Sequence, residues 1–175
     1  MKEVELKLVS ELMKNSRRSD RELSKVLGVS QPTVTRLRSR LEKEGIIKEY
    51  TMIPDFRKIG YHLLGLTFIK LKRTLAPEEV DGARKRGEEA LEKSRFGIVM
   101  LERGLGLGYD GVIVAYYKDY SDYADHKKVL AAYPLVRAEI SDAEGFLISL
   151  DDKVHYRPLT LKSLATLLGS IGNQP

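Results

Sequence analysis

Cysteine is absent from the chain, so neither a disulfide framework nor a thiolate metal site can be built, and a reducing interior is the expected setting. No apolar run approaches the roughly 18 residues that a membrane span needs, and no basic-then-apolar leader opens the sequence. A soluble cytoplasmic protein without a membrane partner is therefore expected. The last two thirds lack net charge: residues 61–175 carry 16 Lys and Arg against 16 Asp and Glu, whereas residues 1–60 carry 14 against 9. The whole formal charge of +5 thus lies in the first third. That asymmetry fits one module that meets an anionic partner and another that does not. Histidine is scarce, and His62, His126 and His155 stand far apart in sequence beside no carboxylate-and-nucleophile arrangement. Each reads as an ordinary surface or sheet-edge residue, and neither enzyme nor cofactor is expected.

What is present is 42% hydrophobic and 31% charged over 175 residues, enough to bury a core in one medium or two small domains. Three helical patterns fit into residues 3–44. Val4, Leu8 and Leu12 recur every four positions in the first. "SDRE" opens the second, with Ser19 as N-cap and Glu22 completing a capping box. Leu23, Val26 and Leu27 form its apolar face, and Gly28 stops it as a residue that enters the left-handed region without steric cost. Ser30 caps the third helix, Pro32 is tolerated in its first turn, and Val34, Leu37 and Leu41 turn inward. A connection this short cannot lay two helices antiparallel; it forces the steep crossing of a helix-turn-helix.

The remaining faces of the third helix hold Gln31, Thr33, Thr35, Arg36, Arg38, Ser39, Arg40 and Lys43. In a recognition helix the N-terminal residues reach base edges, so Gln31, Thr33, Thr35 and Arg36 are the candidates for readout. Arg40, a turn later, suits a phosphate, as do Ser19 and Ser30 at helix starts. Arg38, nearer the buried stripe, completes the set of candidate DNA contacts on this helix. After Gly45, "IIKEYTMIP" is strand-like and reads as a wing, with Lys48 available to the DNA backbone.

The segment "RELSKVLGVSQPTVTRLRSRLEKEGIIKEYTMIPDFRKIGY", with its "EGII" and its closing "D…K.GY", resembles the DNA-binding half of the Lrp/AsnC, or feast/famine, transcriptional regulators. Beyond residue 60 the order is strand "YHLLGLTFIKLK", helix from Pro77, strands "FGIVMLE" and "GVIVAYYK", helix Ser121 to Tyr133, then strands "LVRAEIS" and "FLISL". "SDAEG" interrupts what should be one long final strand. The expected fold is α+β: a winged helix-turn-helix at 1–60, then a ferredoxin-like βαββαβ domain with an extra C-terminal helix at 61–175. In that helix Leu161, Leu164 and Leu168 share one side, expected to pack within a dimer or on a neighbouring one.

The resemblance implies double-stranded DNA as partner, a homodimer with tetramers and octamers as further options, and an amino-acid-like effector. "RGLGLGYDG" leads into a strand, not a helix, so it is no phosphate loop. Family members carry a glycine-and-"YD" segment near their effector site, which makes Gly106, Gly108, Tyr109 and Asp110 the implied effector-binding residues. Two alternatives stand beside a sequence-specific regulator. One is a nonspecific DNA-packaging protein of the same fold. The other is a siroheme-decarboxylase-like enzyme, although "EKSRFGIVM" lacks the His-Asn-Tyr type segment such enzymes carry.

Overall fold

The computed structural model describes residues 1–92, 94–132, 134–151 and 159–171. It forms two compact units, one of residues 1–54 with the C-terminal segment from 157, the other of residues 55–156. Compactness thus divides the chain after residue 54 and groups the C-terminal helix with the first unit.

In the first unit, α1 (Glu3–Lys14), α2 (Asp20–Leu27) and α3 (Gln31–Lys43) close over Leu8, Leu12, Leu23, Val34, Leu37 and Leu41, with Val4, Leu27 and Val29 at the margin. These are the inward positions of the three periodic patterns. Val26 is the exception: expected inward, it is 57% exposed. The helix ends follow from their caps. Ser19 Oγ accepts from the Glu22 amide at 3.3 Å while the Glu22 carboxylate accepts from the Ser19 amide at 2.8 Å, and Gly28 ends α2 at φ +67°.

Another helix (Lys162–Ile171) packs on α1 through its small residues. Ala165 is fully buried, and its carbonyl accepts from Ser10 Oγ at 2.7 Å. A Cβ on Gly169 would stand 3.1 Å from that same hydroxyl. Leu161 and Leu164, expected on the packed side, are exposed, and Leu168 is half-buried.

The second unit is a four-stranded antiparallel sheet in the order β2-β3-β1-β4. Its elements are β1 (Leu63–Leu71), α4 (Pro77–Glu92), β2 (Gly97–Gly106), β3 (Tyr109–Tyr117), α5 (Tyr120–Ala132), α6 (Pro134–Glu139) and β4 (Ile140–Ser149); the helix Lys162–Ile171 is therefore α7. Gly65, Ala115 and Leu147 lie side by side in register, and the rings of Tyr117 and Tyr123 pack there edge to face at 5.4 Å. Small residues make the floor: a Cβ on Gly65 would reach Tyr117 at 2.7 Å, and one on Gly145 would overlap the Tyr123 hydroxyl.

Two expectations for this half are corrected. "LVRAEIS" is not one strand: Pro134 to Glu139 is helical, as proline in a first turn followed by Arg, Ala and Glu favours. Nor does "SDAEG" break the last strand. β4 runs through it, because Gly145 is the strand position over which Tyr123 must pass. The only shift in the β1–β4 pairing lies between Lys70 and Leu71.

Candidate nucleic-acid interface

The three residues Gly28–Ser30 join α2 to α3, and Ser30 Oγ accepts from the Thr33 amide at 3.4 Å. With Val34, Leu37 and Leu41 buried, Gln31, Thr35, Arg36, Ser39, Arg40 and Lys43 are exposed, and Thr33 is half-buried. Arg36, Ser39, Arg40, Glu42 and Lys43 line one open groove along α3.

The arginines divide sharply. Among the described residues Arg36 has no ion pair. Arg38 is one-fifth exposed and its Nη2 lies 2.7 Å from Asp20 Oδ1; it also donates to the Arg18 carbonyl at 3.1 Å and sits over the Tyr50 ring. Arg40 pairs with Glu5 of α1, with Glu44 at 3.7 Å. Arg18 pairs with Glu11. The carboxylates register these contacts. The Lys2 amide and then Arg40 hold Glu5 below the usual carboxylate range. The Ser19 amide and hydroxyl do the same for Glu22. Burial works against ionised Glu11, yet Lys14 and Arg18 outweigh it and its carboxyl stays low.

Lys48 is exposed on residues 46–54, which pair in no ladder, so the strand expected there is absent. Gly45 at φ +68° lets the amides of Ile46 and Ile47 both reach the Leu41 carbonyl. The segment then turns back on α3, where the Tyr50 hydroxyl donates to Glu42 at 2.7 Å. Exposed Arg17, Arg21 and Lys25 around α2 also carry no ion pair among the described residues. These cations, like Asp20, lie outside α3, and the sequence carries no signal that marks them.

The implied effector residues lie at the β2–β3 hairpin tip and the start of β3. Gly106 (φ +146°), Leu107 (φ +53°) and Gly108 (φ +80°) make the β2–β3 hairpin tip, where positive φ at both central residues matches the strand twist. Tyr109 packs on Phe68 at 5.8 Å. Asp110 Oδ2 accepts from the Leu71 amide at 2.8 Å, capping the irregular end of β1. Of the histidines, His62 is exposed. His126 is 5% exposed, a core residue and not the surface one expected; its Nδ1 lies 2.5 Å from the Tyr117 hydroxyl and its ring stacks on Phe96. His155 lies outside the described residues. Among the described residues no three metal-ligating side chains cluster, and no helix is long and apolar enough to cross a membrane.

A winged helix-turn-helix DNA-binding family model matches residues 1–48. An uncharacterized HTH-type transcriptional regulator of Pyrococcus furiosus is 34% identical over 61% of this chain and 66% of its own length. Another, of Pyrococcus abyssi, is 30% identical over 69% of this chain and 75% of its own. The chain spans about two thirds of the first of these curated relatives and about half of others at 37% identity. The crystal structure of PH0061 of Pyrococcus horikoshii superposes at TM-score 0.71 with 25% identity, covering 91% of this chain and 97% of that one. NMB0573 of Neisseria meningitidis, a transcriptional regulator solved with L-Met, gives 0.68 at 18% identity over 94% and 99%. An AsnC family regulator from Agrobacterium tumefaciens gives 0.67 at 20%, again over 94% and 99%. With its helix-turn-helix, its four-stranded antiparallel second unit and these relatives, the chain belongs to the Lrp/AsnC family of HTH-type transcriptional regulators.

Proposed function

We propose that this chain is a sequence-specific DNA-binding regulator of transcription that works as a homodimer in the cytoplasm. The observation that carries the reading is the division among the α3 arginines. Arg38 and Arg40 are held by Asp20 and Glu5, while Arg36 stands exposed, without an ion pair among the described residues, beside Gln31 and Thr35. A nonspecific binder gains from every cation it can offer to phosphate. A reader needs few side chains, held still, at the start of its recognition helix. Gln31, Thr33, Thr35 and Arg36 are proposed for bases. Ser19, Ser30, Lys48 and the newly recognised Arg17, Arg21 and Lys25 are proposed for the DNA backbone. Arg38 and Arg40 serve mainly to fix the helices.

The sheet supports the dimer. Helix-facing Thr67, Ile69, Ile113, Ala115 and Tyr117 are buried, whereas on the opposite face, beyond Tyr116 and the Phe56 ring stacked on it, Leu66, Phe68, Val112, Val114 and Ile148 are only partly buried and Phe146 is 60% exposed. A contiguous apolar face of this kind marks an interaction surface, and a second copy would cover it isologously. For an effector the proposal is coarser. The Neisseria regulator's L-Met supports an amino-acid-like ligand for the second unit, near Gly106, Gly108 and Tyr109; Asp110 belongs chiefly to the fold. No catalytic role is assigned.

Fluorescence anisotropy with labelled duplex from upstream of the protein's own gene tests this reading. Affinity about 10³-fold or more above that for bulk competitor is expected. Equal affinity for both would end it.

A further inference from the structure

We infer that Asp20 is a specificity-determining residue: its carboxylate fixes the hydroxyl of Thr35 so that α3 presents an acceptor oxygen, and not a donor, to the base at that position. This rests on the DNA-reading function proposed above. Asp20 is the first residue of α2, and it reaches across the turn to two side chains of α3. Its Oδ1 lies 2.7 Å from Arg38 Nη2, and its Oδ2 accepts from Thr35 Oγ1 at 2.6 Å. Asp20 and Arg38 are each only one-fifth exposed, so water competes weakly for either group.

A threonine hydroxyl has one proton. Here two acceptors compete for it, the Asp20 carboxylate at 2.6 Å and the Gln31 carbonyl at 3.2 Å. The charged and nearer acceptor holds it. With its proton held by the Asp20 carboxylate, exposed Thr35 offers outward only lone pairs and its methyl group. In the major groove those complement the amino groups of adenine N6 or cytosine N4, with the methyl matching a thymine methyl on an A·T pair. They repel the acceptor edge of guanine. Arg38 enforces the arrangement. Having only donors, it must be met by an oxygen, which fixes which side of residue 20 faces Thr35.

That last point makes Asp20→Asn informative. The asparagine oxygen must face Arg38, so its NH₂ faces Thr35 and donates to the hydroxyl. Thr35 then keeps at most one lone pair for the base, and its proton is no longer claimed by a carboxylate. The test uses the full-length protein and a pool of double-stranded oligonucleotides with a randomised core. Preferred sites are selected, then single-base variants are titrated as labelled duplexes, for wild type, Asp20→Asn and Thr35→Val.

Wild type is expected to favour an amino-bearing base at one position by about three- to tenfold, the range of one hydrogen bond. Both variants should lose that preference at that same position and keep the others. Preference unchanged in Asp20→Asn, or all positions weakened alike, would overturn the inference. If Asp20→Asn does not fold, the inference stands or falls on whether Thr35→Val flattens one amino-bearing position. A wild type that enriches no sequence would instead remove the DNA-reading function, and this inference with it.

Discussion

At the scale of single residues, the interface is governed by which cations are already engaged. Arg36→Ala should leave thermal stability unchanged, since the side chain is exposed and has no ion pair among the described residues, yet cost about 1–3 kcal/mol of specific binding. Thermal melts and duplex titrations measure the two separately. Glu5→Gln should act in the opposite direction on DNA. It frees Arg40 from its strongest partner and should steepen the dependence of log affinity on log salt by about one unit. A slope unchanged in Glu5→Gln would mean that Arg40 meets phosphate whether or not Glu5 holds it.

Protonation follows the same contacts. Glu5, Glu11 and Glu22 all have carboxyls held low in the fold, so the unfolded chain binds protons first as pH falls. Their stabilisation is complete above the ordinary value of 4.5 and is lost as pH drops through the lower folded values. His126 works at higher pH. Burial depresses its basicity, with Asp122 partly offsetting, so the second unit should lose stability as pH falls below about 6.5. Melting followed between pH 8 and pH 5 should show this decline, and His126→Gln should flatten it.

At the scale of elements, the core of the first unit was legible because hydrophobic spacing maps directly onto a helix face. Leu8, Leu12, Leu23, Val34, Leu37 and Leu41 needed no tertiary knowledge. The caps were equally legible, since Ser19, Glu22, Gly28 and Ser30 act within a few residues of themselves. Misreadings arose where distant groups decide. "SDAEG" looks like a turn, yet Gly145 is a strand position emptied for Tyr123, which a sequence cannot pair with it. Gly145→Ala should therefore destabilise the second unit by about 1–3 kcal/mol, as overpacking does, visible in its melting. The site was half legible: outward residues of α3 followed from period, but Asp20 and Glu5, which pair with Arg38 and Arg40, lie on other helices. α7 shows the same limit, for its leucines attract the eye while Ala165 and Gly169 make the contact with Ser10.

At the scale of the whole molecule, one short recognition helix reads only a few base pairs, so useful affinity demands two copies. For the dimer proposed above, Phe146→Lys on the sheet face away from the helices should shift wild-type dimer to monomer in sedimentation equilibrium and weaken binding to a two-half-site duplex. A variant that remains dimeric would place the interface elsewhere. Sequence reading through α3 is tested by comparing wild type with Arg36→Ala. Both are titrated against a labelled fragment from upstream of the gene, across a salt series with bulk competitor. Wild type should bind tightly and resist competitor, and the substitution should weaken that specific binding by about 1–3 kcal/mol with the salt slope little changed. Binding that competitor strips equally from every fragment, in both proteins, would contradict sequence reading and identify a packaging protein instead.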